Sequence, residues 1–231
     1  MSKFSTRFLV MTVTLVVCLV TSNFFVPRVW QVAGLPLQLS GAVLLFPVSY
    51  ILNDCITEVY GYRKARFVIW LAFGLSAFVA VMSQLVCWLP APLEEGGKPL
   101  AESFNSLFSL VPKTTVASLV AFFCGSTVNA WVMSRMKVNS AGRAFGLRAI
   151  LSSVAGEAVD SAIFFPVVFW NIMPLPAVLK IAGMQVLAKV LYEVVALPLT
   201  SWVVRRVKKA EGIDTFDLGV DYNPFKISDI Q

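Results

Sequence analysis

Residues 156–166 read GEAVDSAIFFP, and they place two carboxylates inside a long apolar run that extends from residue 149 to residue 173. A charged side chain at the centre of a membrane-spanning helix costs about 2.5–3.5 kcal/mol on insertion scales. Glu157 and Asp160 are three residues apart, so on a helix they lie on one face. We therefore expect that face to point into the protein, toward a polar partner or a ligand.

The composition is that of an integral membrane protein. Of the 231 residues, 58% are hydrophobic and 14% are charged, whereas a soluble domain carries roughly 25% charged residues. A span needs about 20 apolar residues, so the chain has room for about six helices in a lipid bilayer. The net charge is +6, but the basic residues flank apolar runs, where they set membrane topology. We therefore expect the lipid bilayer, and not a nucleic acid, as their partner.

The residue types exclude several kinds of chemistry. The chain contains no histidine, and its four cysteines are scattered without a CxxC spacing. A metal, cofactor or redox site is therefore not expected. Paired carboxylates could serve acid–base catalysis, but no nucleophile or cofactor motif accompanies them, so we do not expect an enzyme.

We predict an all-α integral membrane fold, with six transmembrane helices in a single domain that covers residues 1–231. The spans are expected at about residues 8–26, 37–52, 67–89, 111–134, 149–173 and 178–204, followed by a polar tail at 205–231. The longest loop is expected between residues 90 and 111, where turn-forming glycines follow acidic residues.

The distribution of basic residues predicts the orientation of the spans. Fourteen of the 19 Lys and Arg residues lie in the N-terminus, the predicted loops at 53–66 and 135–148, and the tail, whereas four lie in the other three loops. Basic segments remain on the cytoplasmic side of a membrane. Both termini are therefore expected in the cytoplasm, as in a multi-pass protein of the inner (plasma) membrane.

Four charged residues are expected at one depth near the middle of the membrane. Glu157 and Asp160 lie at the centre of the fifth span, and Lys189 and Glu193 lie in the sixth, four residues apart on one face. Three negative charges and one positive charge cannot stay dry and fully ionised. Either a carboxylate holds a proton, or a polar ligand and water share the space. The alternative for Lys189 and Glu193 is a structural ion pair.

Two further acids, Asp54 and Glu58, follow the second apolar run. They are candidates for substrate contact or for a gate. The alternative is a salt-bridge cluster at the membrane boundary, with the basic residues Arg63, Lys64 and Arg66 that follow.

Uncharged candidates complete the predicted site. Asn23, inside the first span, offers a neutral hydrogen-bonding group. Phe165 and Trp170 flank the acids of the fifth span, and aromatic side chains can stack on flat bases. Their alternative role is packing between helices or against lipid.

Several separated segments resemble the queuosine precursor transporter family, a vitamin-uptake-like family of small bacterial membrane proteins. In chain order they are FPVSYILND at 46–54, TEVYGY at 57–62, GEAVDS at 156–161, FFP at 164–166, LAKVLYEVVALP at 187–198 and YNPF at 222–225. Because they extend over nearly the whole chain, the resemblance is specific.

The resemblance implies a six-helix fold similar to that of the substrate-binding subunits of energy-coupling-factor vitamin transporters. It also implies uptake of 7-deazaguanine precursors of the tRNA base queuosine, such as 7-cyano-7-deazaguanine, 7-aminomethyl-7-deazaguanine or queuine. A carboxylate can accept both the N1–H and the amino group of a guanine-like ring. Lys189 could contact the ring carbonyl oxygen, or it could hold Glu157 or Asp160 ionised. Which carboxylate contacts the substrate stays open.

The alternative function is a substrate-binding subunit of an energy-coupling-factor type transporter, which needs an ATPase partner. Such subunits dock onto a shared transmembrane partner through a small-residue stripe with alanines on the first helix. Residues 12–17 of this chain read TVTLVV and contain no alanine pair. This favours a transporter that works alone, while its oligomeric state and any coupling to a proton gradient stay open.

Overall fold

Seven α-helices and two short strands make up the described part of the chain. The structure, a computed structural model, describes residues 5–25, 28–31, 38–91, 97–108, 112–169 and 174–226. The helices are α1 (Thr6–Phe25), α2 (Phe46–Tyr60), α3 (Tyr62–Cys87), α4 (Gly97–Phe108), α5 (Pro112–Asn139), α6 (Phe145–Phe169) and α7 (Leu175–Glu211). Strands β1 (Val29–Gln31) and β2 (Gln38–Ser40) pair antiparallel, and a 3-10 turn at Gly41–Leu44 leads into α2.

Among the described residues, six helices are long and apolar enough to cross a membrane. They are α1, α2 with the turn before it, α3, α5, α6 and α7. This confirms the predicted all-α fold with six transmembrane helices, and the strand pair is a small addition to it. The segment predicted as the longest loop contains α4, whose 12 residues are too few for a span.

The second span extends further than predicted. The sequence placed its end just before Asn53, because polar side chains interrupt the apolar run there, but α2 continues to Tyr60. Asn53, Asp54 and Glu58 are all buried, since they face α5, α6 and α7 instead of water. Pro47, predicted inside the span, lies in the first turn of α2. Proline is tolerated there, because backbone N–H groups in the first turn make no hydrogen bond within the helix.

Two kinds of packing hold the bundle together. An apolar core joins the first three long helices, with Leu15 of α1, Ile56 of α2 and Val68 of α3 fully buried in it. Helices α5 and α6 instead meet backbone to backbone at Gly125 and Gly156. A Cβ atom added to either glycine would lie 2.8 Å from the carbonyl oxygen of the other. Small residues permit such close crossings between membrane helices.

The sixth span is also longer than predicted, because α7 ends at Glu211. Gly212 follows in the left-handed conformation, with φ at 65°, and the polar tail turns back onto the bundle. Asp217 is buried there, and Trp70 of α3 donates a 2.7 Å hydrogen bond to the carbonyl oxygen of Pro224. The tail is therefore a packed part of the fold.

Candidate functional site

The two acids at the centre of α6 and a lysine of α7 form one buried ionic group. Lys189 Nζ lies 2.5 Å from Glu157 Oε2 and 3.3 Å from Asp160 Oδ2. Glu157 is 2% exposed and Asp160 is 7% exposed. The structure thus brings together three of the four charged residues expected at one depth. One ammonium group faces two carboxylates, so the group carries one excess negative charge when all three are ionised.

Two aromatic side chains of α2 border this ionic group. Lys189 Nζ lies 4.3 Å from the ring centroid of Phe46, within the range of a cation–π contact, and the rings of Phe46 and Tyr50 are 5.6 Å apart. The Tyr50 hydroxyl reaches the α5–α6 crossing, where a Cβ at Gly125 would come within 2.6 Å of it. Sequence reasoning named neither aromatic residue as a candidate. The four-residue spacing from Phe46 through Tyr50 to Asp54, on one helix face, is the signal that could have found them.

Glu193 does not pair with Lys189, although the two are four residues apart on α7. No salt bridge joins them within the described residues. The Glu193 carboxyl group lies instead within hydrogen-bonding reach of Asp54 on α2, and Ser152 Oγ lies 3.4 Å from Asp54 Oδ1. Asp54 and Glu193 therefore form a second, separate acidic pair.

A network of hydrogen bonds between amide and hydroxyl groups connects α2, α5 and α6 beside these acids. Asn53 Nδ2 donates to Asn129 Oδ1 at 2.9 Å and to the Ser126 carbonyl oxygen at 3.2 Å. Asn129 Nδ2 in turn donates to Ser153 Oγ at 3.3 Å. Buried polar groups need such partners, and these hydrogen bonds fix α2 and α6, which carry Asp54 and the acids of the ionic group, relative to α5.

Glu58 lies at the centre of a salt-bridge cluster. Both oxygens of its carboxylate accept hydrogen bonds from the Arg148 guanidinium. Lys208 Nζ lies 2.6 Å from Glu58 Oε1, and Lys137 Nζ lies 3.8 Å from the same atom. The partners come from α5, α6 and α7, and not from the basic residues directly after α2, which the alternative interpretation of Asp54 and Glu58 named. This arrangement gives Glu58 a role in joining helices, and its role in substrate binding stays a prediction.

Asp214 of the tail extends the same cluster beyond the end of α7. Its Oδ1 lies 2.5 Å from Lys137 Nζ and 2.8 Å from Lys208 Nζ. Burial alone would raise the pKa of the Asp214 carboxyl group, but the hydrogen bonds from the two lysines outweigh it and hold that pKa below its usual value. The cluster therefore keeps Asp214 ionised and ties the tail to α5 and α7.

Three other candidates lie apart from these contacts or outside the described residues. Asn23 is half-buried near the end of α1. Phe165 is buried on α6, where it packs against Val178 and Ala182 of α7. Trp170 lies outside the described residues. A substrate contact by any of the three stays a prediction.

Comparison with known proteins places the chain in a family of transporters. The model of the family described as "Putative vitamin uptake transporter" matches residues 40–203, more than half of the chain. The chain belongs to this family. The matched region contains both acidic pairs and Lys189, whereas Asn23, Lys208 and the tail lie outside it.

A relative with a more specific name is the "Probable queuosine precursor transporter" of Bacillus subtilis (strain 168). It is 26% identical to this chain over 181 residues, which cover 78% of this chain and 76% of the relative. No solved structure matches the chain. With its family membership and six membrane-crossing helices, the protein is a multi-pass membrane transporter.

The charges of the ionic group suit a polar ligand that is rich in hydrogen-bond donors. Its excess negative charge attracts donors and cations, and burial strengthens each of these interactions because the local dielectric constant is low. Phe46 and Tyr50 offer aromatic surfaces next to Lys189. A flat ligand with donors along one edge would satisfy both features of the site.

Proposed function

We propose that this protein imports 7-deazaguanine precursors of queuosine across the plasma membrane, where they serve tRNA modification. The substrate class comprises 7-cyano-7-deazaguanine, 7-aminomethyl-7-deazaguanine and queuine. Family membership supports transport, and the name of the Bacillus subtilis relative supports the substrate class. The proposed role is transport without chemical conversion, so the protein is not an enzyme.

The observation that carries the proposal is the buried group of Glu157, Asp160 and Lys189 beside aromatic rings. A guanine-like ring presents its N1–H and its exocyclic amino group on one edge, and the two oxygens of a carboxylate can accept both. The Lys189 ammonium group can donate to the ring carbonyl oxygen next to that edge. The flat face of the base suits the aromatic side chains of α2.

The excess charge of the group also suits the aminomethyl form of the substrate. A protonated aminomethyl group would bring one positive charge, which balances the carboxylate that Lys189 leaves uncompensated. The cyano form carries no such charge and would rely on hydrogen bonds alone. We therefore expect removal of the Asp160 charge to weaken binding of the aminomethyl form more than binding of the cyano form.

Uptake by the purified protein in liposomes tests the proposal against its alternative. We expect saturable uptake of radiolabelled 7-cyano-7-deazaguanine without any ATPase in the membrane, with competition by 7-aminomethyl-7-deazaguanine but not by adenine. Uptake that required an added ATPase module would support the substrate-binding subunit instead. Absence of both uptake and binding would refute the proposed substrate class.

The Glu157→Gln variant tests the site. It keeps the size of the side chain but removes the charge that pairs with Lys189. Hydrogen bonds to charged groups are worth about 1.5–3 kcal/mol, so we expect uptake at low substrate concentration to fall about tenfold or more. Glu102→Gln is the matched control, because Glu102 is exposed on α4. Wild-type uptake by Glu157→Gln, at equal amounts of inserted protein, would exclude Glu157 from the site.

A further inference from the structure

The second acidic pair, Asp54 of α2 and Glu193 of α7, lies one helical turn beyond the proposed substrate group, which is the ionic group of Glu157, Asp160 and Lys189. Asp54 follows Tyr50 by four residues, and Glu193 follows Lys189 by four. The two carboxyl groups lie within hydrogen-bonding reach of each other, and they are 0% and 4% exposed. The proposed recognition of the base does not use this pair.

Each carboxyl group of the pair has one buried oxygen that lacks a hydrogen-bond donor within the described part of the chain. Asp54 Oδ2 and Glu193 Oε1 are buried, and no donor from the described residues reaches either atom. Ionised carboxylates are acceptors only, whereas a protonated carboxyl group has one O–H to donate. One proton on the pair would therefore turn two facing acceptors into a hydrogen bond.

The basic side chains near the pair are engaged elsewhere, within the part of the chain that the structure describes. Lys189 pairs with the two acids of α6, and Arg148 and Lys208 pair with Glu58. Two buried carboxylates that face each other without a cation strongly disfavour the doubly ionised state. The pair therefore needs a bound positive ion.

The other groups that interact with the pair are neutral or acidic, and they lie on α2, α5 and α6. They are Tyr50 and Cys55 of α2, Asn129 of α5, and Ser152, Ser153 and Glu157 of α6. The described residues contain no group of three or more His, Cys, Asp or Glu side chains suited to a metal ion. This favours a proton over a metal cation as the bound ion.

We propose that Asp54 and Glu193 together bind one proton, which moves with the substrate through the transport cycle. The inference rests on the proposed import of 7-deazaguanines. While α2 and α7 hold the two groups together, the carboxylic acid shares its O–H with the carboxylate. When the helices separate and water enters, the acid releases that proton to water and leaves a carboxylate. Because the same two helices border the substrate group, opening the substrate site to one side of the membrane also opens the pair.

Proteoliposomes that contain a pH-sensitive dye test this coupling. We expect uptake of 7-cyano-7-deazaguanine to acidify the lumen, and an inward proton gradient to drive accumulation above the outside concentration. Collapse of the gradient should abolish that accumulation. Asp54→Asn and Glu193→Gln should each lose gradient-driven accumulation but retain exchange of labelled for unlabelled substrate, because the substrate group is intact. The matched control Glu102→Gln should retain both activities.

Infrared spectroscopy tests the proton site without any substrate. The wild-type protein should show the carbonyl stretch of a buried protonated carboxyl group, and Glu193→Gln should lose this band while Glu102→Gln keeps it. A wild-type spectrum without the band would overturn the proton proposal and leave import intact. Substrate accumulation that does not depend on the proton gradient, or that depends on a sodium gradient, would do the same. The band without any uptake would refute import and leave the proton site in place.

Discussion

At the scale of single residues, Lys189 decides the character of the proposed site. Its ammonium group is shared by Glu157 and Asp160, and it faces the ring of Phe46. Burying an ion costs several kcal/mol, and an apolar contact between α6 and α7 could join these helices without that cost. Three ionisable groups placed together at this depth are therefore better explained by a ligand than by stability alone.

Gly156 is the residue whose substitution should disturb this site through packing. A Cβ at Gly156 would lie 2.7 Å from the Asn129 Cβ and 3.2 Å from Tyr50 Cε1, so Gly156→Ala must push α5 and α6 apart. Overpacking of this kind costs about 1–3 kcal/mol. We expect a lower melting temperature in detergent and weaker substrate binding.

Gly183→Ala is the control for this prediction. Gly183 lies within α7, and a Cβ there would meet nothing within 4 Å. Alanine favours a helix over glycine by roughly 0.5–1 kcal/mol, so the control should melt at the wild-type temperature or above it. Equal melting temperatures for Gly156→Ala and Gly183→Ala would show that the crossing tolerates the added methyl group.

At the scale of elements, α2 connects the substrate group to the salt-bridge cluster. Phe46, Tyr50, Asp54 and Glu58 recur every four residues and so lie along one face. In order along the helix, Phe46 contacts Lys189 and Tyr50 contacts the α5–α6 crossing. Asp54 lies beside Glu193, and Glu58 pairs with Arg148. A movement of this helix would therefore alter all four regions together.

The tail is a second element whose role follows from its contacts. Asp217 Oδ2 accepts a 2.9 Å hydrogen bond from the backbone N–H of Tyr62, in the first turn of α3, and a 2.5 Å hydrogen bond from Ser134 Oγ of α5. Gly61, with φ at 84°, makes room for this contact, since a Cβ there would lie 2.7 Å from Asp217 Oδ1. The tail thus caps α3 and links it to α5.

We predict that Asp217→Ala destabilises the protein by about 1–3 kcal/mol, because it leaves a buried N–H without a partner. The melting temperature in detergent measures the effect. Asp221→Ala is the matched control, since the Asp221 side chain is exposed and its contacts are an ion pair with Lys226 across 3.4 Å and a 3.0 Å hydrogen bond from the backbone N–H of Asn223. Exposed ion pairs add little stability. If Asp217→Ala and Asp221→Ala had the same melting temperature, the Asp217 contacts would not stabilise the fold.

At the scale of the whole molecule, the sequence predicts the spans better than it predicts which side chains meet. Apolar runs locate the six helices, because each membrane-spanning helix needs about 20 consecutive, mostly apolar residues. Partners such as Glu58 and Lys208 are 150 residues apart, and no local pattern joins them. The expected common depth of the charged residues correctly predicted that Glu157 lies near Lys189. It also grouped Glu193 with them, but four residues add a rise of about 6 Å along a helix, enough for Glu193 to meet Asp54 instead.

The contacts also gather several chain segments at one end of the bundle. Arg7 at the start of α1 pairs with Glu211 at the end of α7 across 3.1 Å. The tail joins the α2–α3 junction through Asp217 and the end of α5 through Lys137. This end also carries most of the basic residues counted in the sequence, which agrees with the prediction that both termini lie on one side of the membrane.

We predict that this end faces the cytoplasm, because basic segments are retained there. A green fluorescent protein fused after residue 231 should be fluorescent, and alkaline phosphatase fused at the same point should be inactive. Alkaline phosphatase inserted between α3 and α4, at the opposite end of α3, should be active and serves as the control. The reverse pattern would place the basic end outside, and the direction of uptake would then have to be reconsidered. An active phosphatase at both positions would contradict the three membrane-crossing helices that separate the two fusion points.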